Sequence, residues 1–216
     1  MSLRETKSFR VKDENAEIVF PAVEALKRGE VIVFPTETFY GLGADALNEN
    51  AVERVVSLKG RNPDSPIAVI IADREMLTEI VTEIPSMAER LINRFWPGPL
   101  TLVLPAPKGL PLSLLNRDGK IGVRVSSHPL ATRLAGELGR PLTATSANLS
   151  GKEPARTIQQ ARSYFSGKIE IFLDGGRLAG TSGSTVVEIC HNELKIIREG
   201  EISSRELARA IGGQHR

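Results

Sequence analysis

Apolar positions recur along this chain with two different spacings, and the spacing changes from one segment to the next. Over residues 15 to 28, Ala16, Val19, Phe20, Val23 and Leu26 fall at helical intervals, and Gly29 stops the run. Residues 31 to 34 are continuously apolar and read as a strand. The spacing predicts further helices over 49 to 59, 85 to 95, about 129 to 138, 157 to 165 and 203 to 211. Strands are expected over 66 to 72, 100 to 104, 121 to 125, 142 to 145, 169 to 173, 184 to 190 and 194 to 198. The two element types mix throughout, with no internal repeat, low-complexity tract or Pro/Ser-rich linker. That order predicts one α/β domain whose sheet combines parallel and antiparallel strands.

Composition narrows this picture. Of the 216 residues, 41% are hydrophobic but only 5% aromatic, so the core is built mainly from Val, Ile, Leu and Ala. A net charge of +2 is too weak by itself to argue for nucleic acid. Cys190 is the single cysteine, which excludes an intramolecular disulfide, and its apolar setting suggests a buried inert thiol. His128, His191 and His215 are scattered, with no HxH or HExxH pair, which argues against a dedicated transition-metal site. The N-terminus is charged where a signal peptide is apolar, and no run approaches the roughly 18 apolar residues of a membrane helix. The expectation is a soluble cytoplasmic protein with no membrane contact.

Polar residues gather at the ends of expected elements. Pro35-Thr36-Glu37-Thr38-Phe39-Tyr40-Gly41-Leu42-Gly43 leaves a strand, with proline fixing φ and glycines permitting close approach. It reads as a stiff pocket edge, or as a turn whose Thr-Glu-Thr caps the next segment. Lys59-Gly60-Arg61 closes a helix, where cations either complement the dipole or recognise an anion. The segment 143 to 151 carries four hydroxyls and an amide, among them Thr143, Ser146 and Asn148, and either caps locally or lines a wet pocket. Gly180 to Thr185, which includes Ser184, pairs with Arg198 at a strand end, and Arg124 sits inside an apolar strand where it needs an anion or an acidic partner. His128 is expected on the surface or as a cap. There is no nucleophile–base–acid triad and no GxSxG motif, so the chemistry suggested is positioning and neutralisation of phosphate charge.

Seven blocks carry a resemblance: PTETFYGLGADA (35 to 46), SLKGRNPDSPIAVIIA (57 to 72), WPGPLTLVLPA (96 to 106), VRVSSHP (123 to 129), PLTATSANLSG (141 to 151), GSTVVEI (183 to 189) and IIREGEI (196 to 202). In order and content they resemble the YrdC-type threonylcarbamoyl-AMP synthase family in its single-domain form. The resemblance implies a twisted mixed sheet with surrounding helices and a large basic concave pocket. It implies L-threonine, bicarbonate and ATP as substrates, with Mg²⁺ held mainly by phosphates. The adenylate product would pass to a separate complex that makes the t6A modification of tRNA. It places Thr36 and Tyr40 near threonine, Lys59 and Arg61 toward carboxylate and phosphates, and Arg124 on the matching strand. Ser146 and Asn148 fall with substrate and nucleotide, Thr143 in the same segment, and Ser184 and Arg198 on the nucleotide side. Lys59 and Arg61 are the catalytic candidates. The implied division is a lead-in over 1 to 14, a catalytic domain over 15 to 202 and a helical tail over 203 to 216. The chain departs from the family at Ile70, where many relatives have histidine, and at Ser126, where proline is common.

Two other readings stay open. A basic cleft could bind RNA weakly or as its main role, although the motif segments lack interleaved aromatics for base stacking. A carbamoyl-phosphate-dependent relative is the second, but that module sits in longer, cysteine-rich chains.

Overall fold

The computed structural model describes residues 7–10, 16–62, 65–190 and 193–212. Pro63, Asp64, His191 and His215, all noted in the sequence, lie outside the described residues. In chain order the elements are β1 (Lys7–Arg10), α1 (Ala16–Lys27), β2 (Ile32–Phe34), β3 (Gly41–Gly43), α2 (Glu49–Lys59), β4 (Val69–Ile70), α3 (Arg74–Ile80), α4 (Ser86–Phe95) and β5 (Leu100–Pro105). They continue with β6 (Lys120–Arg124), α5 (Pro129–Leu138), β7 (Leu142–Thr143), β8 (Thr145–Ser146), α6 (Ile158–Phe165), β9 (Ile171–Asp174), β10 (Thr185–Cys190), β11 (Glu193–Arg198) and α7 (Ser204–Gly212).

The mixed parallel and antiparallel α/β architecture is as the sequence suggested, but the strands divide between two sheets. One runs β1-β9-β2-β3-β8 and the other β11-β10-β5-β6-β4-β7. In the first, β2 is buried on both sides: Val33 faces one core while Ile32 and Phe34 face a second core beneath α1 and α5. Strands covered on both faces read as unbroken apolar runs, which is why 31 to 34 is so plain in the sequence.

The second sheet differs in kind. Leu100, Leu102 and Leu104 of β5, Ile121 and Val123 of β6, and Val187 and Ile189 of β10 face the large core. The alternate positions Thr101, Val103, Lys120, Gly122, Arg124 and Val186 face a cavity instead. Side chains alternate with a period of two along a strand, so one face of this sheet is core and the other is floor.

Several expectations need correction. The lead-in contributes β1, a parallel partner of β9. Residues 41 to 43, expected as a turn, form β3, an antiparallel partner of β2. A Cβ at Gly43 would come within 2.9 Å of Phe34 Cε1, so the glycine serves close packing. The strand expected over 66 to 72 shrinks to β4. The strand over 142 to 145 splits into β7, on the second sheet, and β8, on the first. The short helix α3, capped by Asp73 accepting from the Met76 N–H, was not foreseen. The C-terminal helix forms where expected, and its Leu207 is fully buried in the large core. Cys190 is half-buried, with the Lys120 amine 3.4 Å from its Sγ.

Candidate functional site

The floor of the second sheet opens into a cavity of about 460 Å³. Its walls come from the β2–β3 connection (Thr36 and Thr38 to Gly41), the segment after α2 (Arg61, Ser65, Pro66, Ala68), the β7–β8 turn (Ala144 to Ser146) and the loop before β10 (Ser182 to Ser184). Four of the lining residues are cations: Arg61, Lys120, Arg124 and Arg198. Among the described lining residues there is no carboxylate. Gly122 leaves the floor bare, since a Cβ there would sit 3.3 Å from Ala68 Cβ and Thr101 Cγ2.

Each cation is held by a different device. Arg61 donates from Nε to Ser65 O (2.8 Å), from Nη1 to Thr145 Oγ1 (3.1 Å) and from Nη2 to Pro66 O (2.9 Å). A guanidinium has five N–H donors, so two remain for a ligand. Arg198 donates to Ser184 O from Nε (3.2 Å) and Nη2 (2.8 Å), and from Nη2 to Ser184 Oγ (3.1 Å). Thr101 also donates to that Oγ, at 3.0 Å, which leaves the Ser184 proton free to point at an anion. Arg124 is buried and pairs with Glu37, whose second oxygen accepts from Ser126. Ser126 therefore helps to hold the carboxylate. Lys120 is anchored at 2.5 Å by the buried Glu188.

The cations also weaken one another. Burial, then the Arg198 charge, lowers the pKa of Arg61, and burial, then Arg124, lowers that of Arg198. An anion between them relieves both repulsions. Arg124 is likewise lowered by burial, with Glu37 opposing. His128 caps α5, its Nδ1 accepting from the Leu130 N–H, as expected. Burial keeps its pKa below the ordinary value.

Of the ten residues singled out from sequence, Thr36, Tyr40, Arg61, Arg124, Ser146, Ser184 and Arg198 line the cavity. Lys59, Thr143 and Asn148 do not line it, and the reason is visible in their bonds. The Lys59 amine lies 2.5 Å from Ser146 O, 2.9 Å from Asn148 Oδ1, 3.1 Å from Asn148 O and 3.4 Å from Ser146 Oγ. It fastens α2 to the Ser-Ala-Asn loop. Asn148 spends its amide on Leu149 O and Lys152 O. Thr143 accepts from the Ala44 N–H and donates to Leu42 O. These three hold the wall in place. Tyr40 presents its ring, because its hydroxyl donates to Gly176 O at 2.6 Å and accepts from the Gly175 N–H at 3.0 Å. Burial, then Asp174, raises its pKa. Ile70, the register partner of Arg124 on β6, does not line the cavity: it packs in the second core.

Sequence reasoning passed over Lys120, left Thr38 and Glu37 without a role beyond the turn, and noted Ser126 only as a departure from the family pattern. The missed signal was the two-residue alternation Lys120–Gly122–Arg124, which puts a second cation beside the first.

Comparison with known proteins decides the relationship. The family model for Sua5, YciO and YrdC proteins, described as "Telomere recombination", matches residues 24–200. This chain belongs to that family. Threonylcarbamoyl-AMP synthase of Pyrococcus abyssi is 41% identical over 187 residues, covering 87% of this chain and 55% of the relative. A Mycobacterium tuberculosis protein named a putative threonylcarbamoyl-AMP synthase is 36% identical over 194 residues, covering 90% of this chain and 89% of its own length. The chain thus spans about half of the archaeal relative and most of the mycobacterial one. A crystal structure of Pyrococcus abyssi Sua5 complexed with L-threonine aligns with TM-score 0.89 and 39% identity, over 95% of this chain and 60% of that one.

Two outcomes test the geometry. Glu37→Gln leaves Arg124 as a buried charge without its counter-ion, which is expected to cost about 3–5 kcal/mol in urea unfolding; a loss below about 1 kcal/mol contradicts the pairing. Burial, then the Arg61 charge, pulls the Lys59 pKa from 10.5 down to about 7, although the oxygens around it act the other way. Between those values the unfolded chain holds a proton that the folded chain has released, so stability rises with pH across that window. Relative to Lys59→Met, the wild type is expected to gain about 1.4 kcal/mol per pH unit there. A difference that stays flat shows that the oxygens keep the amine charged.

Proposed function

We propose that this chain is a threonylcarbamoyl-AMP synthase, joining L-threonine, bicarbonate and ATP into L-threonylcarbamoyl-adenylate with release of pyrophosphate and water. One N–C bond forms between the threonine amine and the bicarbonate carbon, and a carboxylate oxygen is joined to the α-phosphorus as pyrophosphate leaves. Bicarbonate's lost oxygen departs as water. The observation that carries this reading is a cavity walled by Arg61, Lys120, Arg124 and Arg198 with no lining carboxylate among the described residues. All three substrates carry negative charge, and such a wall collects them.

No lining side chain is placed as a covalent nucleophile, so the protein's part is to position and neutralise. The two spare N–H groups of Arg61 and the free proton of Ser184 suit a carboxylate and a phosphate. Among the described residues no group of His, Cys, Asp and Glu is placed to hold a metal ion, and the cavity offers no carboxylate ligand. The residues present do not fit a protein-held Mg²⁺, so an ion would arrive on the nucleotide's phosphates. Residues 15 to 202, with β1 and α7 packed on them, form the catalytic unit in this reading. The adenylate serves t6A modification of tRNA, through a partner that accepts it. No helix among the described residues is long and apolar enough to cross a membrane.

The test is pyrophosphate release with each substrate omitted in turn: release is expected only when all three are present. Release from ATP with no need for threonine or bicarbonate overturns the reading. Arg198→Ala, which removes an exposed cation from the cavity mouth, is expected to lower kcat/KM for ATP by about 10²-fold with an unchanged melting temperature. Unaltered kcat/KM removes Arg198 from the site.

A further inference from the structure

The chain leaving β11 grips the loop before β10 at three points. Arg198 donates to Ser184 O and Oγ. Gly200 lies so close that a Cβ there would meet Gly183 O at 2.3 Å and Ser184 C at 2.6 Å. The third point is Glu201, an exposed residue that uses both its backbone and its side chain. Its N–H donates to Gly183 O at 2.9 Å. Its Oε1 accepts from the N–H groups of Thr181 at 2.5 Å and Ser182 at 2.8 Å, and from Thr181 Oγ1 at 3.2 Å. Those bonds, the one from the Ser182 N–H first, hold its pKa below the ordinary carboxylate value, so it is ionised at neutral pH.

Thr181 and Ser182 precede β10 and belong to neither sheet, so a carboxylate across their consecutive N–H groups supplies the hold that strand pairing does not. On the other side Arg156 donates to Thr181 O at 3.4 Å, with its guanidinium 5.7 Å from the Phe39 ring centroid. A bond of that length is weak, so Glu201 sets where these two residues sit. The cavity wall follows directly: Ser182, Gly183 and Ser184 line it, and Ser184 is the hydroxyl with a free proton. The backbone around Glu201 does not depend on its carboxylate. Thr185 Oγ1 accepts from the Gly200 and Ile202 N–H groups at 2.9 and 3.0 Å and donates to Ile202 O at 2.6 Å. Removing the carboxylate therefore releases Thr181 and Ser182 while the chain after β11 and the core stay in place.

We propose that Glu201 is a positioning residue for the nucleotide: it fixes Thr181 and Ser182, so that the wall from Ser182 to Ser184 meets the phosphates already ordered. This rests on the synthase reading given above, and it adds a residue that acts through the loop rather than by touching substrate. Arg198 and Ser184 are the cation and the proton donor of this wall, which suits phosphate oxygens. Without the Glu201 carboxylate, ATP has to order the loop as it binds. That cost falls on ATP binding, and not on threonine binding or the chemical step.

The test uses the full chain with Glu201→Ala and with Glu201→Gln, whose amide oxygen still accepts from both N–H groups. Calorimetric titration with ATP is expected to show about tenfold weaker binding for the alanine variant and binding within about threefold of wild type for the glutamine variant. In pyrophosphate release, KM for ATP is expected to follow, with kcat within about threefold and KM for threonine within about twofold. The melting temperature of the alanine variant is expected to fall by less than about 4 °C. Should that variant fail to fold, Glu201→Asp, one methylene too short to span both N–H groups, read against Glu201→Gln gives the same comparison. Unchanged ATP binding overturns the proposal. Tighter ATP binding overturns it too, by showing that the carboxylate competes with the phosphates for the loop. So do equal losses for ATP and threonine, or a glutamine variant as weak as the alanine one. A wild type that binds ATP but releases no pyrophosphate with all three substrates overturns the synthase reading instead, and leaves the effect of Glu201 on ATP binding to stand.

Discussion

The guanidinium of Arg124 is buried in the floor of the cavity, and its carboxylate partner Glu37 comes from the β2–β3 connection on the other sheet. A buried charge is tolerated only when paired, so this contact ties the floor to the wall and sets the space between them. Ser126 holds the second carboxylate oxygen, and its Oγ also accepts from the His128 N–H, where α5 begins. One ion pair therefore links both sheets and a helix. It also decides charge. Glu37 neutralises Arg124 from behind, so the attraction for anions falls mainly to Arg61 and Arg198, each fixed through neutral oxygens.

The same economy explains why residues of similar chemistry play different parts. Lys59 and Arg61 are two positions apart in sequence, yet α2 ends between them. Gly60 adopts φ 58°, a left-handed cap that turns the chain. Lys59 is thereby sent inward to the Ser-Ala-Asn loop and Arg61 outward to the cavity. Hydroxyls divide in the same way: Thr143 and Thr36 satisfy backbone groups, whereas Ser184 keeps its proton for a ligand. Burial leaves few polar groups without partners, so a polar residue near a pocket is as often its scaffold as its surface.

Much of this was legible in the chain. The unbroken run 31 to 34, the helical spacing of α5 and the polar turn at 35 to 43 each gave the right neighbourhood, and the ordered motifs gave the family. What escaped had physical causes. The strand β3 is Gly-Leu-Gly, which has no strand propensity and exists because Phe34 packs over both glycines. The split of 142 to 145 into strands on separate sheets depends on tertiary pairing with β4 and β3. Glu37 and Arg124 lie 87 residues apart, and local pattern does not couple them. Which of two neighbouring cations faces a ligand turns on one glycine's backbone angle.

The central claim is that this cavity gathers anionic substrates against Arg61 and Arg198 while the Glu37–Arg124 pair stays closed. A crystal structure with L-threonine and a non-hydrolysable ATP analogue tests it most directly. The expected result puts phosphate or carboxylate oxygens within about 3.2 Å of the Arg61 and Arg198 guanidinium groups, with Glu37 still on Arg124. Ligands bound outside the cavity, or Arg124 released from Glu37 to meet them, would contradict the account.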